Sequence, residues 1–592
     1  MIIGTDTARW SLTDLLPGGI ESLEKAIDDI QCCIQEIEAF RSHLTGEIPL
    51  DEFLSLLKIK ERLHELTAQV GAYAYLHYAE NTQNPEALSL QDRINQILNE
   101  ADNQTLFFNL WFKDLPDEIA GGYIAAAGEL SYYLESQRRF KPYTLSESEE
   151  KIINLKDLNG IEGLVKVYEI LTNSFKFKLT VDGIEKTLTR DGLNQYYRHP
   201  SAEVRAATYK ELYRVYGDNK IVLAQIYTHL VRDLRAEMIG LRGYTSPISV
   251  RNLGNNLPDD VVDTLLSVCQ QNTNLYQRYF QLKAMLLGMS RLRRYDIYAP
   301  VAQADKTIEF GSAAQLVLDS FRKFSPQIEQ AARQVFEQDH LDSEIRPGKR
   351  GGAFSYSATP RHTPWVLVNF TGRLRDVSTL AHELGHAVHS MLASGHSVLN
   401  FRPPLPLAET ASVFAEMLLS DHLLREESDP LVQRDLLMSI LDDAYATVQR
   451  QAFISIFERA AHERIDTGGT SEALAQLYME NLSAQFGEAV ELPEEFAWEW
   501  TTIPHIYHSP FYPYAYSFGQ LLVLALYQQY LNEGESFLPR YLKILSYGGA
   551  AEPIKVLAEA GLDITSPDFW QGGYNVLQTY LDRLEQNLGG AR

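Results

Sequence analysis

The chain has 592 residues, 45% hydrophobic and 22% charged, a balance that excludes a disordered or collagen-like polymer and suits several domains or one large two-lobed enzyme. Lysine and arginine number 53 against 78 aspartates and glutamates, a net charge of −25; so acidic a chain repels phosphate backbones and anionic lipids, and no basic patch interrupts it, so neither nucleic acid nor a membrane surface is expected as a partner. The three cysteines, Cys32, Cys33 and Cys269, supply neither a disulfide framework nor a cysteine zinc site, which suits a reducing cytosol.

The opening run MIIGTDTARWSLTDLL lacks the basic and long apolar regions of a secretory signal. The most apolar run, LLVLALY at 521–527, is far short of the roughly 20 residues of a spanning helix. A soluble, cytoplasmic protein is expected. Ile20, Leu23, Ile27, Ile30, Ile34 and Ile37 recur at spacings of three and four, the seam of a packed helix pair. Residues 51–78 and 85–110 read the same way, with Phe53, Leu56, Leu63, Leu66, Val70 and Tyr73 on one face of the first. FKFKLTVDGIEKTL at 175–188 places two alternating runs around Asp182-Gly183, a β-hairpin with a tight turn. Ser201 then stands as an N-cap, and helical patterning continues over 201–240 and 259–341. Residues 348–371 change character: Gly351-Gly352 lead into an aromatic and β-branched stretch at 365–370, read as a small sheet whose Pro364 suits an edge strand, either one that an extended peptide could join or a purely structural hairpin. After Asp376 the chain reads as helix again, broken around Pro403, Gly468-Gly469, 504–513 and Gly548-Gly549. The fold class is mainly α with one hairpin and one small sheet, divided into an N-terminal helical lobe at 1–199 and a second region at 200–592.

The chemistry concentrates in TLAHELGHAVH, where His382 and His386 are four apart with Glu383 between them. On a helix both imidazoles share one face and reach one Zn²⁺, while the glutamate flanks the open coordination position. Asp376 and Ser378 lie where the cap of that helix belongs. The pairs His64-Glu65 and His462-Glu463 act as internal controls: four residues after each histidine stand Ala68 and Asp466, so neither chelates. A metzincin would need Gly at position 389 and His at 392, but these are His389 and Leu392; His389 reads as a packed residue. The third ligand is then a carboxylate from LAETASVFAEMLL at 407–419, which places Glu409 and Glu416 seven apart on one helix face in an apolar run. Glu409 is taken as the ligand, with Glu416 and Ser412 supporting it.

HELGHAVH followed by ETASVFAE resembles the oligoendopeptidase F branch of the thimet-oligopeptidase-like zinc metallopeptidases. The similarity extends to RPGKRGGAF at 346–354, HIYHSPFYPYAYSFG at 505–519 and YLKILSYGGAAEPIKVLAEAGLD at 541–563. It implies a largely helical zincin-type fold of two lobes enclosing a deep substrate channel, one Zn²⁺ per chain, and hydrolysis of internal bonds in short unstructured peptides. The Glu-x-x-Ser turn of that family falls on Glu409 and Ser412, and its tyrosine motif falls on Tyr514, with His505 as the second donor to the oxyanion and His508 left open for that role. Glu383 is the general base. Gly351, Gly352, Tyr507, His508 and Tyr512 are expected to line the substrate, although the aromatic run at 505–516 also reads as core packing. Two other readings stand beside this one: a dipeptidyl carboxypeptidase that anchors the substrate's end on Arg350, Arg361 or Arg402, and a catalytically idle peptide-binding protein.

Overall fold

The computed structural model describes residues 8–301 and 307–589; residues 1–7, which open the run read for a signal, lie outside it. The elements that bear on function, numbered among themselves in chain order, are α1 (Ile20–Ala39), α2 (Leu50–Glu80), α3 (Pro85–Asp114), β1 (Phe177–Val181), β2 (Ile184–Leu188), α4 (Ala202–Asp218), β3 (Leu341–Asp342), β4 (Phe354–Tyr356), β5 (Trp365–Leu367), α5 (Leu374–Leu392), α6 (Leu405–Ala408), α7 (Ser412–Glu426), α8 (Arg450–Asp466), α9 (His505–His508) and α10 (Tyr514–Glu533). The chain is mainly helical, as its periodicity predicts. No helix among the described residues is long and apolar enough to cross a membrane.

Two compact units divide the chain. One comprises Met1–Lys141, Asp305–Glu426 and Gln529–Asp563; the other comprises Pro142–Ala304, Glu427–Gln528 and Ile564–Arg592. Each is assembled from three separated stretches, so compactness does not follow chain order.

In the first unit, Leu23, Ile27, Ile30, Ile34 and Ile37 of α1 are buried in one cluster with Phe53, Leu56, Leu63 and Val70 of α2 and Phe108 and Phe112 of α3. Burying a branched side chain stabilises by roughly 1.5–3 kcal/mol, whereas isoleucine costs a helix at most about 0.7 kcal/mol, so the seam outweighs the propensity. The same unit carries a three-stranded sheet in the order β3, β5, β4, with β5 parallel to β3 and antiparallel to β4. The stretch expected at the edge therefore lies in the middle, and the two edges are β3 and β4. Pro364 is compatible with this because it precedes the first paired residue, Trp365, so no ladder bond needs its missing N–H. Trp365, Val366 and Leu367 are fully buried.

In the second unit, β1 and β2 form the expected hairpin, with Asp182 at φ 52° and Gly183 at φ 77° in its turn. Ser201 caps α4 by accepting from the Val204 N–H at 3.3 Å.

Candidate metal centre

The helix α5 starts two residues before Asp376. The Asp376 carboxylate reaches back to accept from the Thr371 and Arg373 N–H groups at 2.7 and 3.1 Å, which satisfies donors at the helix start. Asp376 thus serves the cap from inside the first turn, and Ser378, expected in the cap, lies within the helix. Val377, Leu380, Ala381, Leu384, Ala387 and Val388 are buried, which leaves His382 and His386 on the opposite, half-buried face. Gly385 sits where α5 meets the start of α7: a Cβ there would lie 2.6 Å from the Ala411 carbonyl oxygen and from the Ser412 Cα. Only glycine permits so close a backbone approach.

That approach delivers the carboxylates. Glu409 is not on one helix with Glu416, as the seven-residue spacing suggests; α6 ends at Ala408, Glu409 lies in the turn, and α7 begins at Ser412. Both nevertheless converge on His382. Glu409 Oε2 stands 3.4 Å from His382 Nε2 and 3.5 Å from His386 Nε2, and the two imidazole nitrogens are 3.2 Å apart. Three donors around a tetrahedral ion with bonds of 2.0–2.2 Å are separated by about 3.3–3.6 Å, so these residues fit a divalent ion of zinc's size and preference for nitrogen and oxygen. The other convergence of three potential ligands among the described residues, Asp157, Asp233 and Glu237, contains no imidazole.

Neighbours fix each ligand. His382 Nδ1 donates to Glu416 Oε1 at 2.6 Å, which sets the tautomer and leaves Nε2 as the electron-pair donor. The Ala408 backbone lies near the His386 imidazole and favours its protonated form. Ser412 Oγ donates to Glu409 Oε2 at 2.7 Å, and the Tyr541 hydroxyl donates to the Thr410 carbonyl at 3.1 Å, holding the turn. Tyr541 is a supporting residue that sequence spacing did not reveal. Burial alone would lower His382; the hydrogen bond and charge of Glu416, with Glu409 and Glu383, outweigh it and raise the imidazole to about 9. A proton held there is one that a bound cation would displace. Glu383 is 7% exposed, and its burial, reinforced by the charges of Glu409 and Glu416, raises its carboxyl to about 7. His389 is buried, with its imidazole lowered to about 3, first by desolvation; it packs and does not join the cluster.

Gly351 and Gly352 lie exposed before β4, and Asn369 Nδ2 donates to the Arg350 and Gly352 carbonyls at 3.0 and 2.8 Å. Lys349 is buried against Asp342 at 2.8 Å and donates to the Asp342, Glu344 and Val368 carbonyls.

The aromatic run belongs to the second unit. Between Pro504 and Pro513 the chain is less irregular than its prolines suggest, because His505–His508 forms the single turn α9. His505 stacks on Tyr512 at 5.8 Å with rings 4° apart, and Tyr516 meets both edge-on. His508 is exposed and lies 3.5 Å from Glu169. Tyr507 departs from the expected lining role: it is 2% exposed and stacked at 3.9 Å on Tyr168, inside the core. Tyr514 is fully buried, and its hydroxyl accepts from Asn255 Nδ2 at 2.9 Å, a bond that leaves the phenol proton available. Phe511 adopts φ 59°, and its N–H donates to Glu458 Oε1 at 3.0 Å. Glu458, on α8, is a buried residue that the sequence reading did not single out.

The comparisons with known proteins agree with this arrangement. The model of peptidase family M3 matches residues 195–576, and that of Oligopeptidase F matches residues 111–177. Oligopeptidase PepF of Bacillus subtilis is 26% identical over 98% of this chain and 87% of its own length, and an oligoendopeptidase F homolog of Lactococcus lactis is 28% identical over 98% of both. Among solved structures, one from Chlamydophila abortus has a TM-score of 0.90 at 24% identity, covering 98% of both chains. The oligoendopeptidase-F of Enterococcus faecium has a TM-score of 0.68 at 23% identity, covering 95% of this chain and 99% of its own. These two likenesses establish the mainly helical fold. With one family model spanning more than half of the sequence and including the helix of paired histidines, the chain belongs to peptidase family M3 and is a metalloendopeptidase.

Proposed function

We propose that the protein is a zinc-dependent oligoendopeptidase that cuts internal bonds of short unstructured peptides, using one Zn²⁺ per chain held by His382, His386 and Glu409. The observation that carries the reading is the spacing of 3.2, 3.4 and 3.5 Å among the three donor atoms. Zinc, when bound there, polarises the scissile carbonyl and makes water nucleophilic at neutral pH. Glu383 takes the proton of the attacking water and passes it to the leaving amine, and its burial beside two other carboxylates gives it the basicity for both transfers. Glu416 holds His382 in the liganding tautomer, and Ser412 orients Glu409. Tyr514 and His505 are proposed donors to the oxyanion, with His508 as the alternative to His505. The edge of β4 is proposed to receive the peptide backbone, with Gly351 and Gly352 allowing close approach at its start and Tyr512 and His508 lining side chains. An intracellular setting belongs to the same proposal, supported by three free cysteines.

Retention of Glu383 beside a complete ligand set favours an active enzyme over an idle binder. Mass analysis of products from one peptide, offered with both ends blocked and with both ends free, tests the reading. Internal cleavage of both forms at similar rates is expected, whereas release of terminal dipeptides from the free form alone would make the protein an exopeptidase.

A further inference from the structure

Two exposed guanidinium groups flank the edge strand, and neither has a carboxylate partner among the described ion pairs, in a chain whose net charge is −25. Arg350 lies four residues before β4, its side chain over the rings of Tyr75 and Phe354 at 5.1 and 5.8 Å. Arg402 donates from Nη2 to the Ser357 carbonyl at 2.9 Å, directly after β4, and its charge and hydrogen bond act on the Tyr356 phenol. Between them Tyr75 packs against Phe354 and Tyr356 at 5.5 and 5.1 Å. The third arginine of this neighbourhood, Arg361, is paired with Glu65.

Both backbones are anchored. The Arg350 N–H donates to the Ala79 carbonyl at 3.0 Å, and the preceding turn is locked by Arg346 and Lys349 on Asp342. Opposite Arg402, Gly548 and Gly549 press on the chain so closely that Cβ atoms there would lie 2.3 Å from the Phe401 carbonyl oxygen and 2.1 Å from that of Arg402. The Gly549 N–H donates to the Asn400 carbonyl at 2.7 Å. The fold thus fixes where each cation emerges.

The middle of β4 lies beside the reaction centre: the Ser355 backbone is near enough to the Glu383 carboxylate to favour its ionised form, and Ser357 Oγ lies 2.6 Å from Ser390 Oγ on α5. Successive residues of a strand alternate faces and advance about 3.3 Å each. A peptide laid along β4 with its scissile bond level with Ser355 therefore sets one row of side chains over the Tyr75, Phe354 and Tyr356 rings. The next side chains of that row, about two residues away on either side, reach Arg350 or Arg402.

We propose that Arg350 and Arg402 form a carboxylate-recognising pair that selects peptides bearing an acidic group about two residues from the cleaved bond. The inference rests on the oligoendopeptidase reading and on the use of β4 as the docking edge. A carboxylate can come from an aspartate or glutamate side chain or from the peptide's own C-terminus, and amidating that end separates the two. Since both guanidiniums are exposed, the preference should be about two- to fivefold in kcat/KM, no more than solvent-screened pairs support, and should weaken as salt rises.

The test uses the zinc-loaded full-length enzyme and peptide pairs that differ only by Glu against Gln on either side of the scissile bond, each with free and amidated ends. In wild type the Glu:Gln ratio of kcat/KM should be about two to five; in the Arg350→Gln, Arg402→Gln double variant it should fall to near one, and Arg→Lys at both positions should keep most of it. Because the ratio is taken within one preparation, partial misfolding of a variant cancels. Dissociation constants of the same peptides for the Glu383→Gln protein should show the same ratio. A Glu:Gln ratio near one, with free-ended peptides cut faster than amidated ones in wild type but not in the double glutamine variant, assigns the pair to the terminal carboxylate, which supports the pair while counting against internal cleavage. A wild type that prefers neither Glu over Gln nor free over amidated ends, or preferences that are the same in wild type and the double glutamine variant, overturns the inference. Failure of wild type to cut any of the peptides would instead count against the proposed function.

Discussion

Glu383 and Glu409 are the same residue type beside the same two histidines, and their surroundings separate their roles. Glu409 points Oε2 at both imidazoles and takes a hydrogen bond from Ser412, whereas Glu383 is almost fully buried and lies outside the three-donor cluster. Glu409→Ala should lose tightly bound zinc, read as metal content after dialysis; full retention would remove Glu409 from the ligand set. Glu383→Gln, nearly isosteric but unable to take a proton, should keep its zinc while kcat falls by about 10²-fold or more; near-normal turnover by the loaded variant would assign the base elsewhere. For Tyr514, loss of the hydroxyl in Tyr514→Phe should lower kcat by about 10²- to 10³-fold with little change in KM. Steady-state kinetics alongside Tyr512→Phe and Tyr516→Phe check it, and a kcat within about threefold of wild type would leave Tyr514 a packing residue. The two histidines and their intervening glutamate were legible in the sequence because a helix turns a spacing of four into proximity. Tyr541 was not, since it braces the Glu409 turn from 131 residues away and only the folded backbone brings the two together.

At the scale of elements, the crossing of α5 and α7 governs the centre. In Gly385→Ala the new methyl meets backbone, which cannot rotate away, so α7 must shift and carry Ser412 and Glu416 with it. The expected result is weaker zinc affinity together with a lower Tm; a variant with wild-type affinity would show that the crossing is slack. The loop before α10 depends on Glu458, whose burial raises its carboxyl to about 8. The folded protein therefore keeps a proton that the unfolded chain releases, so this group's contribution is full below the ordinary carboxyl pKa and is lost as pH rises through about 8. In Glu458→Gln the fall in Tm between pH 6 and 9 should shrink by a few degrees; an unchanged fall would remove Glu458 from the alkaline sensitivity. Helices were legible here because apolar residues at spacings of three and four mark them over many turns, and the hairpin because Asp182-Gly183 favours left-handed backbone. The sheet was not resolved strand by strand: strands of two or three residues carry too little pattern to distinguish a central position from an edge, and Pro364 pointed to the wrong one.

At the scale of the whole chain, the interleaving of the two units was invisible to a reading that moves along the sequence, because each unit joins stretches separated by segments of the other. Membership of the family was visible, since its motifs are local. The proposed oligoendopeptidase activity carries a prediction of size selection: unstructured peptides of on the order of 5 to 20 residues should be cut internally and native globular proteins left intact, as digestion of a length series would show. The central claim, one zinc per chain serving internal cleavage, is tested most directly by stripping the protein of metal and titrating Zn²⁺ back while following hydrolysis of a peptide blocked at both ends. Activity should be absent in the stripped protein, rise in proportion to added zinc and level off at one equivalent per chain; full activity without metal, or none on the blocked peptide at any zinc level, would contradict it.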